Sequence, residues 1–389
     1  MTTRNCGFYS DFFSGLPAFG SCVSDSPLTC QAWPSSLTVV ADLARAGRYA
    51  QAEAALALCA ACPGDSPSAV DTLRRLFLMA HVRLCQGACS EGLEVLHRAF
   101  ALGREQGVEA SAVCQPADLF ASLCAVALEE AIEPVYVNRL VKQAGLAAPS
   151  PALVRWPYPL RFYTLGRAAV VVDGQPLRFS GKAQHRPMLL LHCLLARGGR
   201  EVPVSALLRA MREDREDDDG LKSRGAFDMA LSRLRHLLGE PQALLLGDGH
   251  LSLNQRLCWV DAWACERLLG HVDRADDPAC GQILFERALD LYQGDFLEGE
   301  ESAWSVLARE RMRAHLLRVA RRLGDAFERH GRWAEAGDLY ARLRELFPLD
   351  EDLCRHLIHS HVERDELAQA MGLYSRCREL MTKVLGVLR

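Results

Sequence analysis

Four cations and a single carboxylate stand between Leu221 and Leu238: Lys222, Arg224, Arg233 and Arg235 against Asp228. The stretch has a helical period. Ala226, Phe227, Ala230, Leu231, Leu234, Leu237 and Leu238 fall on one face, leaving Arg224, Asp228, Met229, Ser232, Arg233, Arg235 and His236 toward solvent. Guanidinium groups present a fork of donors that matches guanine edges and phosphate oxygens alike, and an α-helix fits the major groove of duplex DNA. Many proteins carry a basic helix face only to stay solvated, so the neighbouring elements decide between the two uses.

The first neighbour is Gly247-Asp248-Gly249, flanked by Ala243–Leu246 and His250–Leu253. Glycine permits the tight turn of a hairpin. Such a hairpin lies along phosphates or merely closes a sheet; Asp248 opposes the first use, and His250 and Arg256 offset it. Ser180-Gly181-Lys182, with His185 and Arg186, precedes a helix and can set amides and cations on a phosphate. The run Glu213, Asp214, Glu216, Asp217, Asp218, Asp219 is repelled by DNA, so it faces solvent or another protein. The candidate DNA-binding set is therefore Lys182, Lys222, Arg224, Ser232, Arg233, Arg235, His236, Gly247, Gly249 and His250, with Arg233 and Arg235 leading.

The sequence holds no G-x-x-x-x-G-K-[ST] loop, no G-x-G-x-x-G after a strand, no H-E-x-x-H and no G-x-S-x-G, so neither an enzyme nor a cofactor is expected. His356, His359 and His361 invite a metal reading but are taken as surface or packing residues, as are His315 and His330. The 15 cysteines are scattered through Leu- and Ala-rich segments, for example Cys59, Cys124, Cys193 and Cys354. In a reducing compartment they are small buried hydrophobes. Cys59-x2-Cys62 and Cys85-x3-Cys89, with His81 nearby, approach zinc spacing. Closed zinc sites prefer turns to Ala-rich helices, so helix contacts are favoured and no metal is expected.

These residues need elements to position them. At about 150 residues per domain, 389 residues suggest two or three domains. A hydrophobic content of 49% with 24% charged residues excludes whole-chain disorder and fibrous classes. The net charge of −4 confines any basic footprint to a local face. The longest apolar run, Met188–Ala196, is broken by His192 and is shorter than the roughly 18–20 residues of a membrane span. Met1–Trp33 lacks a secretory pattern, so a cytoplasmic location is expected.

The period along the chain gives a disordered tail at 1–35, a helical repeat domain at 36–147, a Pro-rich linker at 148–159, a mixed α/β module at 160–260 and a helical remainder at 261–389. Within the module the order is β-hairpin, three short helices and a terminal hairpin, which describes a winged helix. Gly331–Ala336 leads to Tyr340, and 34 residues later Asp365, Leu367, Ala368, Ala370 and Tyr374 fill the corresponding places, a tetratricopeptide period. Gly47–Ala52 nearly copies residues 331–336, and Gly87–Gly92 is a weaker copy. The fold class is mainly α, tetratricopeptide-like repeats flanking a winged helix.

Leu160–Gly166, Asp173–Phe179, Ser180–Pro187, Gly198–Val202, Ala226–Gly239 and Leu251–Asp261 resemble the OmpR/PhoB-type winged helix. Ala288–Leu297, Trp304, Glu310-Arg311 and the repeat pair at 331–374 resemble the bacterial transcriptional activator domain of SARP-like regulators. The N-terminal half is similar to the helical sensor arm of maltose-regulon-activator-like regulators. The resemblance implies a DNA-binding activator: helix Leu221–Leu238 in the major groove of double-stranded DNA, the 247–249 hairpin as wing, and RNA polymerase or sigma factor met by the acidic loop 213–219. Where relatives end the second helix with Leu-Trp-Pro, this chain has Met211-Arg212-Glu213, a departure that bears on that loop. The helical arrays would form a homodimer or receive a signal. The alternative is a tetratricopeptide adaptor that has lost DNA binding and acts through protein partners.

Overall fold

A computed structural model describes residues 35–61, 68–166, 168–178, 185–212 and 220–385. The expected tail (apart from Ser35), the acidic run 213–219, Ser180-Gly181-Lys182 and Cys62 lie outside the described residues. The chain is mainly α, with tetratricopeptide-like helical hairpins before and after a small α/β module. It divides into two compact units, Met1–Tyr163 with Ala169–Ala264 and Thr164–Ala168 with Cys265–Arg389. Among the described residues no helix is long and apolar enough to cross a membrane.

The first unit begins with α1 (Ser35–Arg45), α2 (Tyr49–Ala61), α3 (Ala69–Cys85), α4 (Cys89–Glu105), α5 (Ala110–Val113), α6 (Ala117–Glu129) and α7 (Pro134–Ala144). The copied GRxAxA text does the same local work in both halves of the chain. Gly47 at φ +69° and Gly331 at φ +68° reverse the chain in the left-handed region, where a side chain is strained. Phe77 meets Phe100 and Phe120 at centroid distances of 4.9 and 5.3 Å, forming the aromatic centre of this array. Gly103 lets α4 approach α7, since a Cβ there would lie 2.6 Å from the Tyr136 hydroxyl oxygen. That hydroxyl donates to the Val108 carbonyl at 2.8 Å.

Residues 148–159 were expected to link two domains; they instead form a packed strap within one unit. Proline keeps the segment out of helix, and three of its large apolar side chains are buried: Leu153, Trp156 and Tyr158 are 2%, 2% and 6% exposed. Arg155 Nη1 donates to the carbonyls of Leu128 and Glu129, in the last turn of α6, at 3.3 and 2.8 Å. On the other side Trp259 Nε1 donates to the Pro151 carbonyl at 3.0 Å. Arg161 donates to Val154 and Trp156 carbonyls at 2.7 and 2.6 Å while its guanidinium lies over the Trp259 ring. These contacts hold the module to the first array.

The module itself has β1 (Leu160–Tyr163), β2 (Ala169–Val172), β3 (Gln175–Pro176), α8 (His185–Ala196), β4 (Val202–Pro203), α9 (Val204–Arg212), α10 (Gly220–Leu238), a 3-10 turn (Pro241–Ala243), β5 (Leu244–Gly247), β6 (His250–Leu253) and β7 (Cys258–Val260). The first sheet has the order β3-β2-β1-β7, with β7 parallel to β1; the second has the order β4-β6-β5. Two pairings were not expected. Val202–Pro203 adds a third strand to the terminal hairpin, and Cys258–Val260 joins the opening hairpin.

α11 (Asp261–Val272) begins in the first unit and continues into the second, which goes on with α12 (Pro278–Leu291), α13 (Ala303–Arg329), α14 (Trp333–Leu346), α15 (Glu351–Glu363) and α16 (Leu367–Leu385). Side-chain caps start two of them: Asp277 accepts from Ala279 N at 3.0 Å and Asp350 from Leu353 N at 3.1 Å. Thr164–Ala168 belongs here because Leu297 N donates to the Thr164 carbonyl at 2.7 Å and Gly166 N to that of Asp295 at 2.9 Å. The 34-residue repeat is imperfect at its aromatic. Tyr340 is fully buried because Gly324 leaves room for its ring, whereas Tyr374 is 57% exposed. Ile358 stands where the repeat would require the glycine.

Candidate nucleic-acid interface

Helix α10 is seated by its apolar face. Phe227, Ala230, Leu231, Leu234 and Leu238 are each 3% exposed or less, and Gly239 at φ +68° ends the helix. Burying residues at this spacing forces the opposite face outward. Arg224, Gly225, Asp228, Met229, Ser232, Arg233 and His236 form one exposed stripe.

The cations of this helix differ in freedom. Arg224 pairs with Asp228 at 3.7 Å one turn on, both about half exposed, and its guanidinium lies over the Phe227 ring. An exposed pair of this kind is worth well under about 1 kcal/mol and yields readily to a phosphate. Arg233 and His236 are exposed. Arg235, expected on the solvent face, is half-buried, and its Nη2 donates to the Leu244 carbonyl at 2.8 Å. It fixes the end of α10 to the first strand of the hairpin, so it positions the exposed stripe. The Lys222 side chain lies outside the described residues, as does Lys182.

The hairpin turns on Asp248 and Gly249, both at positive φ (48° and 75°), the left-handed pair that a two-residue turn between twisted strands requires. Gly247 is not in the turn: it closes β5 by pairing with His250. His250 is exposed, and its Nδ1 is 2.9 Å from the Asp248 carbonyl, a hydrogen bond in which the ring N–H donates. The hairpin is tied down from its turn along β6, by Val204 N donating to the Gly249 carbonyl at 2.9 Å and Glu201 N to Ser252 Oγ at 2.7 Å. Arg256 does not offset Asp248. It follows the far end of β6, where Asn254 Oδ1 accepts from its backbone N–H at 3.0 Å.

Sequence reasoning missed the role of Arg235; the signal available was its place in the last turn of a helix that runs straight into β5. The spaced cysteines and His81 do not assemble a metal cluster among the described residues. His81 Nε2 and Cys85 Sγ lie 3.7 Å apart, but burial pushes the Cys85 thiol up to about 11 and the His81 imidazole down to about 4. A thiol held protonated in this way is a poor metal ligand.

Fold and surface together define a binding architecture: a basic helix presented beside a β-hairpin, with helical repeats before and after it in the chain. Residues 260–389 match the family model of the bacterial transcriptional activator domain. The regulatory protein AfsR of Streptomyces coelicolor is 29% identical over 238 residues, which cover 59% of this chain and 23% of AfsR. The chain thus matches about a quarter of that relative's length. The structure of Mycobacterium tuberculosis EmbR, solved in complex with a low-affinity phosphopeptide, aligns at 21% identity with a TM-score of 0.46, covering 59% of this chain and 61% of that one.

Proposed function

We propose that this chain is a cytoplasmic bacterial transcription regulator of the SARP type, an activator that binds promoter DNA through an OmpR/PhoB-type winged helix. The observation that carries the reading is the exposed stripe of α10, with Arg224, Ser232, Arg233 and His236 in one row, followed in the chain by a hairpin anchored along β6. The match of residues 260–389 to an activator domain supports the same reading from an independent part of the chain.

In this reading α10 enters the major groove. Arg233 reaches bases or phosphates, Arg224 exchanges Asp228 for a phosphate, and Ser232 and His236 add hydrogen bonds. Arg235 sets the angle between helix and wing. The wing, from Gly247 to His250, follows the backbone with Gly249 permitting close approach. The N-terminal array, held to the module by the strap, receives a signal or dimerises, and the acidic run 213–219 meets RNA polymerase or sigma factor.

The test is fluorescence anisotropy of the full chain on its upstream promoter duplex and on a random duplex, at two salt concentrations. Promoter preference with strong loss of affinity at higher salt is expected. A second reading, a tetratricopeptide adaptor acting through protein partners, is favoured by Asp248 at the hairpin apex, where a carboxylate opposes phosphate. Flat titrations on both duplexes, with a specific protein recovered by pull-down, would select it.

A further inference from the structure

The C-terminal array contains a group of side chains that DNA binding does not use. Asp325 and Glu328 stand three residues apart on α13, on one helix face, and His356 reaches them from α15. One ligand atom from each lies within 4.8 Å of the others, and this is the cluster of three or more ligating groups found among the described residues. His356 Nδ1 and Glu328 Oε1 are 3.1 Å apart. The set joins an imidazole to two carboxylates drawn from two helices, a composition that spacing along one helix could not reveal.

The surroundings hold these ligands in place. The Tyr340 ring stacks on His356 with centroids 5.0 Å apart, and its hydroxyl donates to Glu328 Oε1 at 2.9 Å. Outer partners that orient an imidazole and a carboxylate are what a ligand set needs. Gly324 makes the stack possible, because a Cβ there would occupy the place of the Tyr340 ring. Arg321, one turn before Asp325 on α13, is engaged by Asp350 at 3.8 Å and Asp352 at 2.8 Å, and Arg329 Nε donates to the Asp325 backbone carbonyl at 3.2 Å. Glu328 and His356 are partly exposed, at 16% and 33%, and Asp325 is exposed, so an ion has a route in.

We propose that Asp325, Glu328 and His356 bind one divalent transition-metal ion, Zn²⁺ in preference to Mg²⁺ or Ca²⁺. One nitrogen and two oxygen ligands with an open fourth position suit Zn²⁺, whereas the hard cations demand six or more oxygens. Two donors at ordinary zinc distances are at most about 4.2 Å apart. The exposed Asp325 closes the remaining gap by a change of rotamer, while Glu328 and His356 are already near. The ion would pin α13 to α15 across α14 and so stiffen the activator-domain repeats.

Chelator-treated full-length chain is titrated with Co²⁺ and then Zn²⁺, reading the visible spectrum and the unfolding temperature. Free thiols make the spectrum informative: the site gives weak nitrogen/oxygen bands without thiolate charge transfer. We expect one equivalent of Co²⁺, displaced by Zn²⁺, with a rise in unfolding temperature. Asp325→Asn and His356→Gln should each weaken binding at least tenfold. Asp325 is exposed, so its variant keeps the metal-free unfolding temperature and separates loss of ligand from loss of fold. Absence of saturable binding, a thiolate spectrum, or Asp325→Asn binding as tightly as the unaltered chain would overturn the proposal.

Discussion

The two helical arrays use one packing device and put it to different ends. In the first, Gly103 admits Tyr136; in the second, Gly324 admits Tyr340. Tyr136 spends its hydroxyl on a backbone carbonyl, that of Val108, in a buried setting. Tyr340 spends its hydroxyl on the Glu328 carboxylate and its ring face on His356. A glycine–tyrosine crossing is thus a structural joint in the N-terminal unit and the support for an ionisable cluster in the C-terminal one. Residue type alone does not separate the two uses; what surrounds the hydroxyl does.

The largest effect should come from filling the second crossing. Gly324→Ala drives a Cβ into the Tyr340 hydroxyl and ring, and overpacking against a buried ring that also stacks on His356 should cost about 2–3 kcal/mol, less the helix propensity that alanine restores. Urea unfolding measures it. At Gly103 the hydroxyl oxygen of Tyr136 is 2.6 Å away and its ring 3.1 Å, both farther than their Tyr340 counterparts are from Gly324, and the cost should be smaller, about 1–2 kcal/mol. Equal costs would erase the distinction between the two joints.

Removing the hydroxyls is a finer probe. Tyr136→Phe leaves a buried carbonyl acceptor without its donor, a loss of about 1 kcal/mol. Tyr340→Phe frees Glu328, so it should also weaken Zn²⁺ binding; a variant that lost stability but bound the ion unchanged would show that the hydroxyl does not orient Glu328.

Acid should act on the N-terminal array through His81. Burial holds the His81 imidazole at about 4 in the folded chain against 6.5 for an exposed group. The folded state therefore binds fewer protons than the unfolded chain between these values. The contribution is full above about pH 6.5 and is lost progressively as pH falls toward 4. Hydrogen exchange of α3 amides at pH 7 and pH 5 should show the decline, and His81→Gln should flatten it.

Much of the fold was legible in the sequence because its signals are local. Asp-Gly turns, the switch from a period of two to one near four, and the Gly-Arg-x-Ala copies each specify a nearby backbone shape. What was missed depends on partners distant in sequence. The Pro-rich segment reads as a linker until Arg155, Trp156 and Trp259 are seen to tie it on both sides. Strand β7 is too short to signal itself and exists through its pairing with β1. His356, read as a surface or packing residue, meets its ligand partners Asp325 and Glu328 on α13. In the candidate interface the apolar face of α10 was readable, but helical spacing cannot tell Arg233, in solvent, from Arg235, which meets the Leu244 carbonyl.

Those two arginines offer the most direct measurement. Binding of the full chain to its promoter duplex is followed across salt concentrations for the unaltered chain, Arg233→Ala and Arg235→Ala. We expect Arg233→Ala either to lower the salt slope by about 1 or to relax base preference at a cost of about 1–3 kcal/mol, with stability unchanged. Arg235→Ala should cost stability of about 1 kcal/mol through the lost bond to Leu244. An Arg233→Ala chain that binds with the affinity, preference and salt slope of the unaltered one would contradict the assignment of α10 as the DNA-reading helix.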